Sequence, residues 1–252
     1  MKHTRGGEML KPNVSYCRQE NEVHYNPYVH DYSQDYLTFV AKKDGKFTFT
    51  PKNSNTISYS TDNGENWTVG NSVTVKSGDK VLWKGTMTPS AYEGSGTFSS
   101  TANFDVQGNV MSLLYGDNFK GQVDLTGKNN AFGQLFYQNS KVVSAENFSL
   151  PATTLAQNCY NGMFEECVSL TTAPELPATT LVNGCYSYMF FNCSSLNYIK
   201  AMFTTTPSTD YTDSWVGWIT GTGTFVKNSA ATWDVTGDNG IPTGWTVETA
   251  SA

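Results

Sequence analysis

Residues 150–175 read LPATTLAQNCYNGMFEECVSLTTAPE, and residues 176–201 read LPATTLVNGCYSYMFFNCSSLNYIKA. Aligned end to end, the two stretches agree at 13 of 26 positions. A repeat of this length builds structure by stacking, because each copy has an apolar face that it cannot bury alone. A weaker copy lies upstream. Phe132, Leu135, Phe136, Asn139, Val142 and Ala145 stand 28 residues before Tyr160, Met163, Phe164, Cys167, Leu170 and Ala173. The array therefore holds about three units, over roughly residues 119–201, and the first is irregular.

Spacing within a unit sets the expected local structure. Cys159, Met163 and Cys167 recur at i, i+4 and i+8, with Tyr160 and Phe164 in the neighbouring positions. Cys185, Met189, Cys193, Tyr186 and Phe190 repeat the pattern. It predicts a short helix with one apolar stripe. Ser169–Ala173 reads as a short strand, and Pro174 and Pro177 then break regular structure. Leu150, Leu155, Leu170, Leu176, Leu181 and Leu196 complete the expected repeat core.

The runs MFEECVSL (163–170) and MFFNCSSL (189–196) resemble the BspA-like leucine-rich repeat, whose hallmark is Phe-x-x-Cys-x-x-Leu followed by a Leu-Pro segment. The resemblance covers about residues 119–201 and departs from the common leucine-rich pattern with its Asn ladder. Binding surfaces of other leucine-rich repeats therefore do not carry over by position. The resemblance implies a protein of the bacterial surface or a phage-encoded protein of gut anaerobes, acting in adhesion to host proteins or other cells. The segment Tyr16–Pro27 is similar to a connector found ahead of such repeats in phage and mobile-element proteins.

The flanks divide by pattern. Residues 1–35 are polar and aperiodic and read as an arm or linker. Residues 36–110 read as a small β-sandwich. Tyr36–Val40 and Lys46–Thr50 alternate at period two about Asp44-Gly45, a hairpin signal. Thr56–Ser60 precedes the turn Asp62-Asn63-Gly64, and Val73–Val75 and Lys80–Lys84 flank Ser77-Gly78-Asp79. Residues 111–203 carry the repeats. Residues 204–252 read as a C-terminal cap, with a short helix at Tyr211–Ile219 and strands at Gly223–Lys227 and Gly244–Val247. The expected fold is α+β: an N-terminal sandwich, a short leucine-rich-repeat solenoid and a cap.

Composition narrows the function. Charged residues make up 15% of the chain, against about 25% in an ordinary soluble domain; Thr, Ser, Asn and Gly take their place, a mix suited to strands and turns. The net charge is 16 − 22 = −6, and the only arginines are Arg5 and Arg18. Gripping nucleic acid takes clustered Lys and Arg, so a nucleic-acid partner is not expected. No apolar run is long enough for a membrane span, and the first residues lack a secretory h-region.

Catalytic and metal chemistry find little footing. His3, His24 and His30 all precede the repeats, so no histidine is placed to activate a nucleophile there. The cysteines Cys159, Cys167, Cys185 and Cys193 lack zinc-type spacing. They read as small buried hydrophobes, with stacked-pair disulfides as the alternative. Ser60-Thr61-Asp62-Asn63-Gly64-Glu65-Asn66-Trp67 resembles the Asp-box of sialidases and other β-propellers, which implies a structural hairpin closure. Glu165 and Glu166 fall on the expected exposed helix face and read as solvated there.

Tyr188 and Phe191 stand on that face of the second full repeat, where the first has Gly162 and Glu165. Exposed aromatic groups are contact anchors, so Tyr188, Phe191, Glu165 and Glu166 are the candidate ligand-binding residues; burial under the cap is the alternative for the two rings. No catalytic residue, metal or cofactor is expected. The expected function is non-enzymatic recognition or adhesion of a protein or glycan, outside the cell, on a cell surface or phage particle. A structural virion component attached through the N-terminal arm is the alternative, and a carbohydrate-active enzyme a remote one.

Overall fold

The computed structural model describes the backbone of residues 15–19 and 22–26, and residues 30–90 and 94–250. The expected arm falls largely outside the described residues, as do His3 and the side chains of Cys17 and His24. Within it, Ser15–Gln19 (β1) pairs antiparallel with Glu22–Asn26 (β2).

Two sheets face each other, built from residues 37–109 and 142–149. Leu37–Ala41 (β3), Ile57–Ser60 (β5), Thr68–Val69 (β6), Lys80–Gly85 (β8), Phe104–Asn109 (β10) and Val142–Ser149 (β11) form one sheet in the order β11-β10-β3-β8-β5-β6. Gly45–Pro51 (β4), Ser72–Val75 (β7) and Gly96–Ser100 (β9) form the other, in the order β7-β4-β9. The hairpin expected between β3 and β4 is absent: β3 pairs with β8 and β10, while β4 pairs with β7 and β9. The same correction applies to β7 and β8. Both chain segments cross between sheets, because their apolar residues must face one core from opposite sides. Phe39 and Phe47 meet there with ring centroids 5.3 Å apart. The β5–β6 pair is a true hairpin, Ser58 opposite Val69.

The expected α+β class is corrected. The chain is mostly β, with 30% strand against 6% helix, and its sheets do not close into a solenoid. Among the described residues the α-helices are Ser112–Tyr115 (α1) and Thr209–Thr212 (α2), each a single turn. The stripe at Cys159, Met163 and Cys167 is not on a helix. Every fourth backbone residue there is left-handed: Asn158 at φ 54°, Gly162 at 58° and Glu166 at 60°. Asn130, Gln134 and Gln138 repeat this one layer earlier, and Gly184, Tyr188 and Asn192 one layer later. No α-helix survives a left-handed residue every turn.

The hydrogen bonds show what replaces it. Cys159 N–H donates to Ala156 O at 3.2 Å and Met163 N–H to Tyr160 O at 3.1 Å, closing successive four-residue turns. The alternate amides point to the next layer. Tyr160 N–H donates to Cys185 O, Gly162 N–H to Ser187 O, Phe164 N–H to Met189 O and Glu166 N–H to Phe191 O, at 2.8–3.1 Å. Phe132, Gln134, Phe136 and Gln138 bond forward to 159, 161, 163 and 165 in the same way. A ribbon of turns has period four, with two residues in and two out, which is why Cys and Tyr, then Met and Phe, arrive as inward pairs. A fourth, less regular ribbon follows: Phe190 N–H donates to Trp215 O and Asn192 N–H to Gly217 O.

Beside the ribbons, strands stack in parallel. Tyr198–Ala201 (β12), Thr224–Lys227 (β13) and Thr246–Thr249 (β14) form a sheet, and single bridges through Thr172 connect β11 to β12. Thr172 is what remains of the strand expected at 169–173. The sixteen expected repeat-core residues all lie in one buried cluster with the sandwich interior. An aromatic column runs through it: Phe98–Phe136, Phe136–Phe164 and Phe164–Phe190 stack with centroids 5.2–5.9 Å apart, and Trp215 closes the column 6.0 Å beyond Phe190. Each such pair contributes about 0.5–1.5 kcal/mol beyond its burial, so sandwich and repeats share one core.

Candidate recognition surface

The ribbon geometry decides what faces outward. Residues in matching positions of successive layers form columns on the outer face. One column is Gln134, Gly162, Tyr188 and Ser214; its neighbour is Gln138, Glu166, Asn192 and Trp218, and every residue in both has a positive φ. Gly and Asn suit this left-handed region, while other L-residues lose about 1–2 kcal/mol in it. Tyr188 at φ 56° and Trp218 at φ 63° are therefore unfavourable choices on backbone grounds. Burial does not compensate, since Trp218 is 68% exposed and Tyr188 36%.

These two side chains flank Phe191. Tyr188 and Phe191 meet edge to face at 5.9 Å, and Phe191 and Trp218 lie 5.3 Å apart. Phe191 rests on Gly217, where a Cβ would come within 2.9 Å of its ring. The three rings make a strip across two layers. The cap covers it in part: Gly217 and Trp218 pack against Phe191, which is half-buried, while Tyr188 and Trp218 stay exposed.

Carboxylates frame the strip. Glu165 and Glu166 are half-buried on the ribbon before it, not on a solvated helix face as the sequence suggested. Burial and the adjoining Glu166 push the Glu165 carboxyl above its ordinary pKa. Asp213 accepts a hydrogen bond from the Tyr188 hydroxyl at 3.1 Å, which raises the phenol pKa. Tyr137, one layer before Glu165, is raised by partial burial and by both glutamates.

Of the four residues expected from sequence, the structure thus sets Tyr188 and Phe191 in one strip, with Glu165 and Glu166 at its margin. Trp218 and Asp213 were missed. Asn192 plus one 26-residue step reaches Trp218, but residues 211–218 share too few inward residues with the earlier copies for that register to show.

Other chemistry-bearing groups lie elsewhere. The four repeat cysteines are buried free thiols; Cys167 and Cys193 donate to the carbonyls of Phe136 and Phe164 at 3.1 and 3.0 Å. In the Asp-box-like hairpin, Asp62 accepts from Asn66 N–H at 2.9 Å and from Ser60 Oγ at 2.7 Å, which hold its carboxyl down to about 2. His30 hydrogen-bonds Asp35, and both line a cleft of 540 Å³ together with Thr38, Lys80, Leu82 and Gln107. Among the described residues no three His, Cys, Asp or Glu side chains gather to hold a metal. No helix there is long and apolar enough to cross a membrane.

Comparison with protein-family models, with curated proteins and with solved structures finds no match to the chain.

Proposed function

We propose that this chain is a non-enzymatic recognition protein that binds a protein or glycan through the outer face of its turn ribbons. The observation that carries this reading is Trp218: a bulky ring, 68% exposed, at a left-handed position where it costs stability. Tyr188 repeats that choice one layer away. Exposed side chains kept at a cost to the fold are selected for contact, and aromatic rings are the commonest anchors of interfaces. The likeness of MFEECVSL and MFFNCSSL to BspA-like repeats supports a place on a bacterial cell surface or phage particle.

The test is binding of the intact chain and of Trp218→Ala to a panel of bacterial surface glycans and host surface glycoproteins. At least one ligand is expected to bind the intact chain and to lose about tenfold or more in affinity to the variant, as for an interface hot spot. If nothing binds, or if binding is indifferent to Trp218, the reading fails and a purely structural role takes its place.

A further inference from the structure

The three rings and three carboxylates of the outer face narrow the class of partner. Resting on the recognition reading above, we infer that the strip formed by Tyr188, Phe191 and Trp218 takes a cationic polypeptide segment, whose Lys or Arg side chains lie over the rings and pair with Glu165, Glu166 and Asp213.

Charge complementarity carries the argument. The recorded ion pairs of the described residues are His30–Asp35, Lys42–Asp105, Lys76–Asp44, Lys84–Asp117 and Lys200–Glu175. None involves Glu165, Glu166 or Asp213, so among the described residues no cation pairs with these carboxylates. Their residues adjoin the strip: the Glu166 backbone N–H donates to the Phe191 backbone carbonyl at 2.8 Å, the Glu165 charge acts on the Tyr188 phenol, and the Asp213 carboxylate accepts from the Tyr188 hydroxyl at 3.1 Å. A low-dielectric flank of half-buried acids strengthens the field over the ring faces, and ring faces themselves attract cations.

The same molecule shows the filled version of this arrangement. On the sandwich, the Lys84 ammonium lies 4.1 Å from the Trp67 ring centroid and 5.9 Å from that of Tyr36, and pairs with Asp117 at 2.7 Å. Rings, a carboxylate and a cation complete one another there. The strip supplies rings and carboxylates and leaves the cation to a partner. Gln138 donates to the Glu166 carboxylate at 3.3 Å and Ser214 to Asp213 at 3.2 Å, but both donors are neutral, so a neutral glycan would use the rings and bring the acids no counter-charge.

The experiment is fluorescence anisotropy with a labelled Arg/Lys-rich peptide, a neutral peptide of equal length and a neutral oligosaccharide, on the full chain. The cationic peptide is expected to bind, and to lose about tenfold in affinity when salt rises from low concentration to about 0.5 M. Glu165→Gln/Glu166→Gln is expected to cost about tenfold, and Trp218→Ala a similar factor. Asp234→Asn/Glu248→Gln removes the same net charge at exposed sites outside the strip and is expected to leave affinity unchanged. Equal losses in both double variants would reduce the effect to net charge and overturn the inference. Binding of the neutral probes alone, lost in Trp218→Ala, would overturn the cationic partner yet leave the recognition surface standing. Loss of no probe in Trp218→Ala would sink both.

Discussion

Tyr160 and Tyr186 stack in adjacent layers, ring planes 8° apart and centroids 5.9 Å apart, and both hydroxyls are buried with no hydrogen-bond partner among the described residues. Phe132 extends the stack one layer earlier, 5.8 Å from Tyr160, without a hydroxyl. The stacking therefore does not need the phenol oxygen. Tyr160→Phe and Tyr186→Phe are expected to leave stability unchanged or raise it by about 1–3 kcal/mol, the usual cost of an unsatisfied buried polar group. Chemical denaturation measures this; a clear loss of stability would show that the hydroxyls are satisfied.

The left-handed grid makes a paired prediction. Gln134 lies at φ 57° and Gly184 at φ 63°. Gln134→Gly is expected to stabilise by about 0.5–1 kcal/mol by relieving the backbone. Gly184→Ala is expected to destabilise by more than that, since its Cβ would also meet the Asn158 side chain at 1.9 Å. If the two substitutions shift the denaturation midpoint in the same direction, the turn-ribbon geometry is wrong.

Four thiols inside the ribbons are expected to be inert. Burial pushes the Cys185 thiol up to about 12, and those of Cys159, Cys167 and Cys193 upward too. The thiolate is the reactive species. At pH about 8, alkylation followed by peptide mass mapping should leave all four unmodified in the folded chain and modify all four in denaturant. Fast labelling of any one of them under native conditions contradicts the buried stack.

Tyr36 gives the pH prediction. Burial and the hydrogen bond to Asp117 raise its pKa from 10.0 to about 12. A raised folded-state pKa means that the neutral phenol is favoured by folding. Its contribution is whole below 10.0 and is lost as pH rises through about 12. Wild type is therefore expected to lose stability relative to Tyr36→Phe over that window, and parallel melting curves across it would refute the linkage.

Much of this was legible in the sequence, and the failures have physical reasons. Thirteen matches between residues 150–175 and 176–201 reveal the stack. The inward pairs Cys159-Tyr160 and Met163-Phe164 reveal which face is buried. What the pattern hides is the backbone. Over nine residues, a period of four and a period of 3.6 select the same side chains, so Cys159, Met163 and Cys167 fit a helix and a turn ribbon alike. Gly162 and Asn158 were the available hints, since both suit left-handed backbone, but Glu166 and Tyr188 occupy such positions with no sequence signal at all. Asp44-Gly45 misled for a related reason. A tight turn is written in local sequence, whereas the choice between pairing with the next strand and crossing to the opposite sheet is made by the shared core of Phe39 and Phe47. The strip was half legible: Tyr188 and Phe191 stand out against Gly162 and Glu165, while Trp218 lies in a layer whose inward residues had diverged.

The central claim is that the strip rings are held for contact and not for folding, and thermal melting of Tyr188→Gly and Trp218→Gly tests it most directly. Glycine already occupies the Tyr188 position one layer earlier, at Gly162, with φ 58°. Each variant is expected to melt at or above the temperature of the parent chain, because relief of left-handed strain offsets the loss of an exposed ring. A fall equivalent to about 2 kcal/mol or more, the scale of a truncated core residue, would make the rings structural and contradict the account.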